Sequence, residues 1–126
     1  MIVIDASAVA AVLFDEPEGL IVVDRSGGAL LAAPSLLSYE VANICWKKLR
    51  RNPEKREEIL ASHGRLELLK IQQLEVDYGA VVVMAERTGL TAYDAAYLWL
   101  ARTLGVELVS LDERLLRAAA KLREVP

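Results

Sequence analysis

The chain has 126 residues, 54% of them hydrophobic and only 6% aromatic, so we expect one compact domain with an aliphatic core. The net charge of −3 argues against binding nucleic acid through bulk positive charge, although metal ions held by clustered carboxylates would reverse the local sign. The single cysteine, Cys45, excludes an internal disulfide and is typical of the reducing cytoplasm. No basic stretch precedes Asp5, so we expect no signal peptide, and no apolar run approaches the roughly 18 residues that span a membrane.

The first half of the chain alternates short apolar runs with helical patterns. The β-branched run before Asp5 is typical of a buried parallel strand. The predicted elements are, in order, a strand at 2–4, a helix at 7–14 capped by Ser7, a helix at 15–28 with Pro17 in its first turn, a strand at 29–32 closed by Pro34, and a helix at 35–51 capped by Ser35 and stopped by Asn52-Pro53.

The second half continues the same alternation. The predicted elements are a charged helical stretch at 53–69, a strand or connector at 71–76, a helix at 78–88 ending at Gly89, a helix at 91–103 capped by Thr91 with Gly105 beyond it, a strand at 106–111, and a helix from Asp112 or Glu113 to 121. Strands that alternate with helices predict an α/β fold with a parallel sheet and helices on both faces. Because repeats and linkers are absent from the sequence, we expect a single domain over residues 1–126.

Two acidic residues follow predicted strands. Asp5 ends the first strand and Asp112 ends the last one, and ligands of open parallel sheets bind beyond the carboxyl ends of the strands. Both residues also precede helices, where aspartate is a preferred N-cap. The sequence therefore does not decide whether each aspartate belongs to a shared ligand site or only caps a helix.

Asp94 lies in the first turn of the helix that Thr91 caps, and the pair matches a capping box. The helix that follows is apolar on every side, which indicates that it is buried, and a carboxylate on a buried helix needs a partner. The sequence alone does not decide whether the partner of the Asp94 carboxylate is a metal ion or the helix cap.

The long helix at 35–51 carries a polar stripe between two apolar faces. A solvated surface stripe is the simpler interpretation, but a helix that packs on two sides favours a functional one. An acid toward the N-terminal end and cations after it would place metal ligands first and phosphate contacts next. The stripe consists of Glu40, Asn43, Lys47, Arg50 and Arg51, all within about 100° of arc.

Four carboxylates without a histidine or cysteine cluster favour Mg²⁺ or Mn²⁺ over Zn²⁺. Two such ions could activate a water and stabilise the leaving oxygen in phosphodiester hydrolysis. Ser7 and Ser110 could orient that water, although a serine at such a position is more often just a cap or turn hydroxyl. The only histidine, His63, falls in the charged middle of the chain and is expected to be exposed. A glycine-rich phosphate loop between a strand and a helix is absent from the sequence.

Four motifs occur in an order that resembles the PIN-domain nucleases, and especially the VapC-like toxins of toxin–antitoxin pairs. They are IVIDAS at residues 2–7, SYEVAN at 38–43, TAYDAAYL at 91–98 and LVSLD at 108–112. The resemblance covers almost the whole chain. It implies a three-layer α/β/α sandwich with a central parallel sheet and an Mg²⁺- or Mn²⁺-dependent endoribonuclease activity.

In that family the acids that match Asp5, Glu40, Asp94 and Asp112 hold the metal, with Asp5 and Asp94 the most direct ligands. Ser7 and Asn43 match positions that support the pocket. The resemblance also implies a homodimer and a small antitoxin protein that packs along an apolar groove. The candidate groove is the second apolar face of the long helix, although this face could instead pack against the chain's own second helix. We define this second apolar face as Tyr39, Ala42, Trp46 and Leu49.

Two other functions remain possible for a chain with this resemblance. One is a housekeeping PIN nuclease that processes RNA, and the other is a PIN-like module that only associates with proteins. The presence of all four acids argues against the second of these.

Overall fold

The computed structural model describes the backbone of residues 1–124 and the side chains of residues 1–123. Short 3₁₀ turns lie at Pro53–Lys55 and Leu66–Leu69. The strands are β1 (Ile2–Ile4), β2 (Leu31–Pro34), β3 (Gln72–Leu74) and β4 (Leu108–Val109). The helices are α1 (Ala6–Leu13), α2 (Gly19–Ser26), α3 (Leu36–Arg51), α4 (Arg56–His63), α5 (Tyr78–Thr88), α6 (Ala92–Leu104) and α7 (Glu113–Glu124).

All four strands are parallel and lie in the order β3-β2-β1-β4. Strand β2 and then β3 lie on one side of β1, and β4 pairs with β1 on the other side. The point where the strand order reverses is the usual place for a ligand in such a sheet. Ile4 pairs with Val109 across this boundary, so the segments after β1 and β4 leave the sheet side by side.

The helices form two layers around the sheet. Helix α1 packs on α2 and α3, and α3 packs on α4, whereas α6 packs on α5, α7 and three of the strands. The prediction of a three-layer α/β/α fold is therefore confirmed. The middle of α6 is buried on all sides, as its sequence predicted, and Tyr97 is the largest fully buried side chain. Full burial of each large aliphatic side chain of the core contributes roughly 1.5–3 kcal/mol to stability.

Helix ends with a strong local signal were predicted well. Thr91 caps α6 by accepting a hydrogen bond from the Asp94 N–H, and α5 and α6 end at Gly89 and Gly105 with positive φ angles of 74° and 67°. The stop of α3 at Asn52 is also confirmed. Ser35 occupies the cap position of α3, but its side chain makes no capping hydrogen bond.

Other boundaries were wrong. Asp5, not Ser7, caps α1, because the Asp5 carboxylate accepts the Ala8 N–H. The Ser7 hydroxyl instead donates a hydrogen bond to the Asp5 carboxylate. Strand β2 begins two residues later than predicted, since its pairing with β1 and β3 decides its extent. Strand β4 is only two residues long, and α7 continues to Glu124. The predicted single domain includes residues 125 and 126, which lie outside the described residues.

Within residues 1–124, each helix is too short or too polar to cross a lipid bilayer.

Candidate metal centre

A cavity of about 250 Å³ opens where the carboxyl ends of β1 and β4 meet the first turns of α1 and α6 and the middle of α3. It contains all four acids singled out from the sequence, together with two of the predicted supporting residues and one predicted cation. We call it the acidic cavity. Its lining consists of Asp5, Ala6, Ser7, Glu40, Asn43, Ile44, Lys47, Asp94, Tyr97 and Asp112.

Asp5 is the most enclosed of the four acids, with 5% of its surface exposed. Its Oδ1 accepts hydrogen bonds from the Ala8 N–H at 3.1 Å and from the Ser7 hydroxyl at 2.7 Å. Its Oδ2 accepts the Ser110 hydroxyl at 2.5 Å. Asp5 therefore caps α1 and lines the acidic cavity at the same time, so the two interpretations of this residue were not exclusive.

Ser7 and Ser110 attach Asp5 to the segment after β4. The Ser7 Oγ accepts the Leu111 N–H at 3.0 Å, and the Ser110 Oγ accepts the Asp112 N–H at 2.9 Å. Both hydroxyl protons go to the Asp5 carboxylate, and Ser110 does not itself line the cavity. These serines thus position a carboxylate, which differs from the water-orienting role suggested by sequence.

Asp112 also combines two roles. Its Oδ1 caps α7 by accepting the N–H groups of Arg114 at 2.9 Å and Leu115 at 3.2 Å, and the residue lines the acidic cavity. For Asp94, Thr91 makes only half of the predicted capping box. Among the described residues, no hydrogen bond from the Thr91 N–H to the Asp94 carboxylate closes the box, and Asp94 lines the acidic cavity.

Glu40 is held by a residue that the sequence analysis did not select. The Tyr97 hydroxyl, on a side chain only 1% exposed, donates to Glu40 Oε1 at 2.6 Å across the space between α6 and α3. Tyr97 lies one turn after Asp94 on the same face of α6. That spacing was the available signal, because a tyrosine facing an acidic site has a hydroxyl to donate.

The acids of the cavity are hard to ionise together. Burial raises the pKa of Asp5, and the charge of Asp112 adds to the effect against the lowering influence of the Ser110, Ser7 and Ala8 hydrogen bonds. Burial also raises the pKa of Glu40, with the charges of Asp94 and Asp5 adding to it. The pKa of Asp94 is raised by burial and then by the charges of Asp112 and Asp5, while the charge of Arg114 and a hydrogen bond with the Thr91 side chain lower it. A bound cation would relieve this mutual repulsion.

The donor set fits Mg²⁺ or Mn²⁺. All candidate ligands are carboxylate oxygens, which these hard cations prefer. Among the described side chains, no three histidine, cysteine, aspartate or glutamate residues come close enough to enclose an ion by themselves. Mg²⁺ usually keeps several of its waters and uses one or two protein carboxylates, so three enclosing side chains are not required for its binding.

The three cations predicted on α3 are not brought together. Lys47 lines the acidic cavity. Arg50 instead lies over the ring of Trp46, with its guanidinium carbon 5.7 Å from the ring centroid. Arg51, in the last position of α3, is exposed outside the cavity lining. His63, expected to be exposed, is partly buried and also lies outside the cavity.

The second apolar face of α3 is open to solvent. Tyr39 is 80% exposed and Trp46 is 55% exposed, Ala42 is exposed, and Leu49 is partly buried. Helix α2 packs on α1 and β4 and does not cover this face. The alternative in which this face packs against the chain's own second helix is therefore wrong.

The raised pKa values of Asp5, Glu40 and Asp94 predict an inverse dependence of stability on pH for the metal-free protein. Each group binds its proton more tightly in the folded than in the unfolded protein. Its ionisation therefore leaves the free energy of unfolding unchanged below the ordinary pKa. The free energy of unfolding then falls as the pH rises from the ordinary pKa through the raised pKa of the folded protein. The Asp94→Asn variant should match the wild type near pH 4 and melt several degrees higher at pH 8 in a chelator.

Thermal unfolding between these two pH values measures the effect, with Glu54→Gln, an exposed acid outside the cavity, as the control. Millimolar Mg²⁺ should then stabilise the wild type more than Asp94→Asn. An Asp94→Asn variant that melts below the wild type at pH 8 in chelator would contradict this electrostatic account.

The chain is similar to known proteins along nearly its whole length. The model of the PIN domain family matches residues 2–121. "Ribonuclease VapC3" of Pyrobaculum aerophilum is 36% identical over 125 residues, with 90% of this chain and 91% of that protein covered. "Ribonuclease VapC9" of Mycobacterium tuberculosis is 37% identical over 122 residues, with 91% and 88% covered.

The fold is similar to a solved structure as well. The crystal structure of PAE2754 from Pyrobaculum aerophilum superimposes with a TM-score of 0.72 at 29% sequence identity, covering 93% of this chain and 84% of that one. The similarity to this structure thus extends over most of both chains.

Proposed function

Because the chain belongs to the PIN domain family and is a VapC-like member of it, we propose that it is a divalent-metal-dependent endoribonuclease. The observation that carries the proposal is the acidic cavity, where four acids from separate parts of the fold meet beside a lysine. The relatives whose names describe ribonucleases support RNA as the substrate.

The chain's own residues would divide the work. Asp5 and Asp94 would hold the metal most directly, and Glu40 and Asp112 would complete its set of protein ligands. Ser7 and Ser110 hold the Asp5 carboxylate, and Tyr97 holds that of Glu40. Asn43 supports the pocket from α3.

When bound, Mg²⁺ or Mn²⁺ supplies Lewis acidity and a nucleophilic water for phosphodiester hydrolysis. The Lys47 ammonium is placed to bind an RNA phosphate at the cavity. Burial of Asp5 limits the water that competes at its carboxylate and strengthens its attraction for a cation, and Glu40 lies half-buried in the same cavity.

We further propose that this nuclease acts in the cytoplasm as the toxin of a toxin–antitoxin pair and forms a homodimer. The resemblance to VapC-like toxins supports the toxin assignment, and the relatives named VapC are consistent with it. The second apolar face of α3, open to solvent, is the proposed contact for a small antitoxin. Growth arrest on expression of the wild type but not of Asp94→Asn would support this role, and equal growth of both strains would contradict it.

Metal removal tests the proposed activity. Purified protein should cleave single-stranded RNA in Mg²⁺ or Mn²⁺, lose the activity in excess chelator, and regain it when the metal is restored. A preparation of the Asp5→Asn/Asp94→Asn double variant, purified in parallel, controls for contaminating ribonucleases. Cleavage that persists in the chelator, or that the double variant shares, would exclude the proposed mechanism.

A further inference from the structure

A second groove, distinct from the acidic cavity, lies between the C-terminal end of α5 and the exposed side of α7. Its volume is about 280 Å³. Leu90 and Ala118, both buried, form an apolar floor. We call it the basic groove because four of its eight lining residues are cations. The lining consists of Arg87, Thr88, Leu90, Arg114, Arg117, Ala118, Lys121 and Leu122.

The cations of this groove are concentrated and exposed. Arg114, Arg117 and Lys121 follow one another at helical spacing on one side of α7, and Arg87 faces them from α5. Among residues 1–123, none of the four takes part in an ion pair. Like charges at these spacings repel each other on a helix, so an anion in the groove would remove an unfavourable interaction. The whole chain has a net charge of −3, so the positive charge of the basic groove does not simply reflect the overall composition.

Arg114 connects the basic groove to the acidic cavity. Its backbone N–H is bound by Asp112 Oδ1 at 2.9 Å, and its guanidinium donates to the Gly89 carbonyl oxygen at 2.8 Å. Its positive charge also acts on Asp94, the acid in the first turn of α6. The basic groove therefore begins beside two of the proposed metal ligands.

We infer that the basic groove binds the phosphodiester backbone of one RNA strand as that strand leaves the acidic cavity. The inference rests on the proposed ribonuclease function. From Arg114 to Lys121 the axis of α7 advances about 10 Å, which is long enough for more than one phosphate. Flexible arginine and lysine side chains bind phosphates without reading base sequence.

Helix α3 is a weaker candidate for the surface that the RNA strand follows. Of its predicted phosphate contacts only Lys47 lines the acidic cavity, and Arg50 is already engaged with Trp46. The basic groove instead presents cations from two helices to one space. The RNA strand thus leaves the acidic cavity on the α7 side.

The test measures RNA binding without cleavage. A short fluorescently labelled single-stranded RNA is titrated with Asp94→Asn protein, with and without the further substitutions Arg117→Gln and Lys121→Gln, at several salt concentrations. The two substitutions should weaken binding roughly tenfold. They should also reduce the slope of log affinity against log salt by about 0.7 for each RNA phosphate that the variant no longer neutralises.

The matched control carries Lys55→Gln and Lys70→Gln, two exposed lysines outside the groove with the same total change in charge. Its affinity and salt slope should stay close to those of the Asp94→Asn parent. If the groove variant folds poorly by circular dichroism, Arg87→Gln on α5 tests the same surface from another helix. Groove variants that bind RNA as well as the control does would overturn the inference.

Failure of the inference and failure of the proposed function are distinguishable. If the wild type cleaves RNA but the groove variants bind normally, only the path along α7 is wrong. If the wild type cleaves no RNA in Mg²⁺ or Mn²⁺, the proposed function is wrong whatever the binding data show.

Discussion

Replacing Asp5 or Asp94 by asparagine is expected to lower the rate of metal-dependent RNA cleavage by at least about a hundredfold. Each substitution removes one negative charge and one strong oxygen donor from the acidic cavity while keeping the size of the side chain. Asparagine caps helices about as well as aspartate does, so α1 should retain its N-terminal cap in the Asp5→Asn variant. The loss would then reflect the metal site and not a disrupted helix.

Asp77→Asn is the matched control for this prediction. Asp77 caps α5 by accepting the Ala80 N–H at 3.0 Å, which is the same structural role that Asp5 plays for α1, but it lies outside the acidic cavity. Initial rates at saturating Mg²⁺ should be unchanged for this variant. If both cavity variants cleave RNA at the wild-type rate, or if Asp77→Asn is equally inactive, the assignment of the acids is wrong.

Gly19→Ala is expected to destabilise the protein by about 2–3 kcal/mol. A Cβ atom at this position would lie 2.6 Å from the Ala11 carbonyl oxygen and 3.3 Å from the Val12 Cα. These neighbours belong to the backbone of α1, which cannot turn aside as a flexible side chain could. Helices α1 and α2 would have to separate, and α1 carries Asp5 at its N-terminus.

Urea unfolding measures this effect, and Gly64→Ala provides the comparison. Gly64 ends α4 with a φ angle of −60°, and an added Cβ would meet its nearest neighbour at an ordinary 3.4 Å. That variant should be neutral or more stable by about 0.5 kcal/mol, because alanine restricts the unfolded chain. A Gly19→Ala protein as stable as Gly64→Ala would show that the two helices do not approach this closely.

The sequence was most informative where one residue type decides the local backbone. Gly89 and Gly105 adopt left-handed conformations that favour glycine, and Thr91 has a hydroxyl that can cap a helix. The extent of β2 could not be predicted in the same way. The residues around Ala32 are uniformly apolar, and only pairing with β1 and β3 decides which of them form the strand.

The candidate site was predictable in part for a topological reason. Asp5 and Asp112 follow strands, and parallel strands bring their carboxyl ends to one edge of the sheet. The hydrogen bond from Tyr97 to Glu40 joins residues 57 positions apart, so only the tertiary structure reveals it. The alignment of Arg87 with the cations of α7 depends on the same kind of long-range packing.

Diffraction from crystals soaked in Mn²⁺, recorded near the manganese absorption edge, tests the central claim most directly. We expect anomalous density for at least one ion within the acidic cavity, in contact with Asp5 or Asp94, and its loss in crystals of the Asp5→Asn/Asp94→Asn variant. Density only at a site that none of the four acids contacts, or a cavity without density at saturating Mn²⁺, would contradict the account.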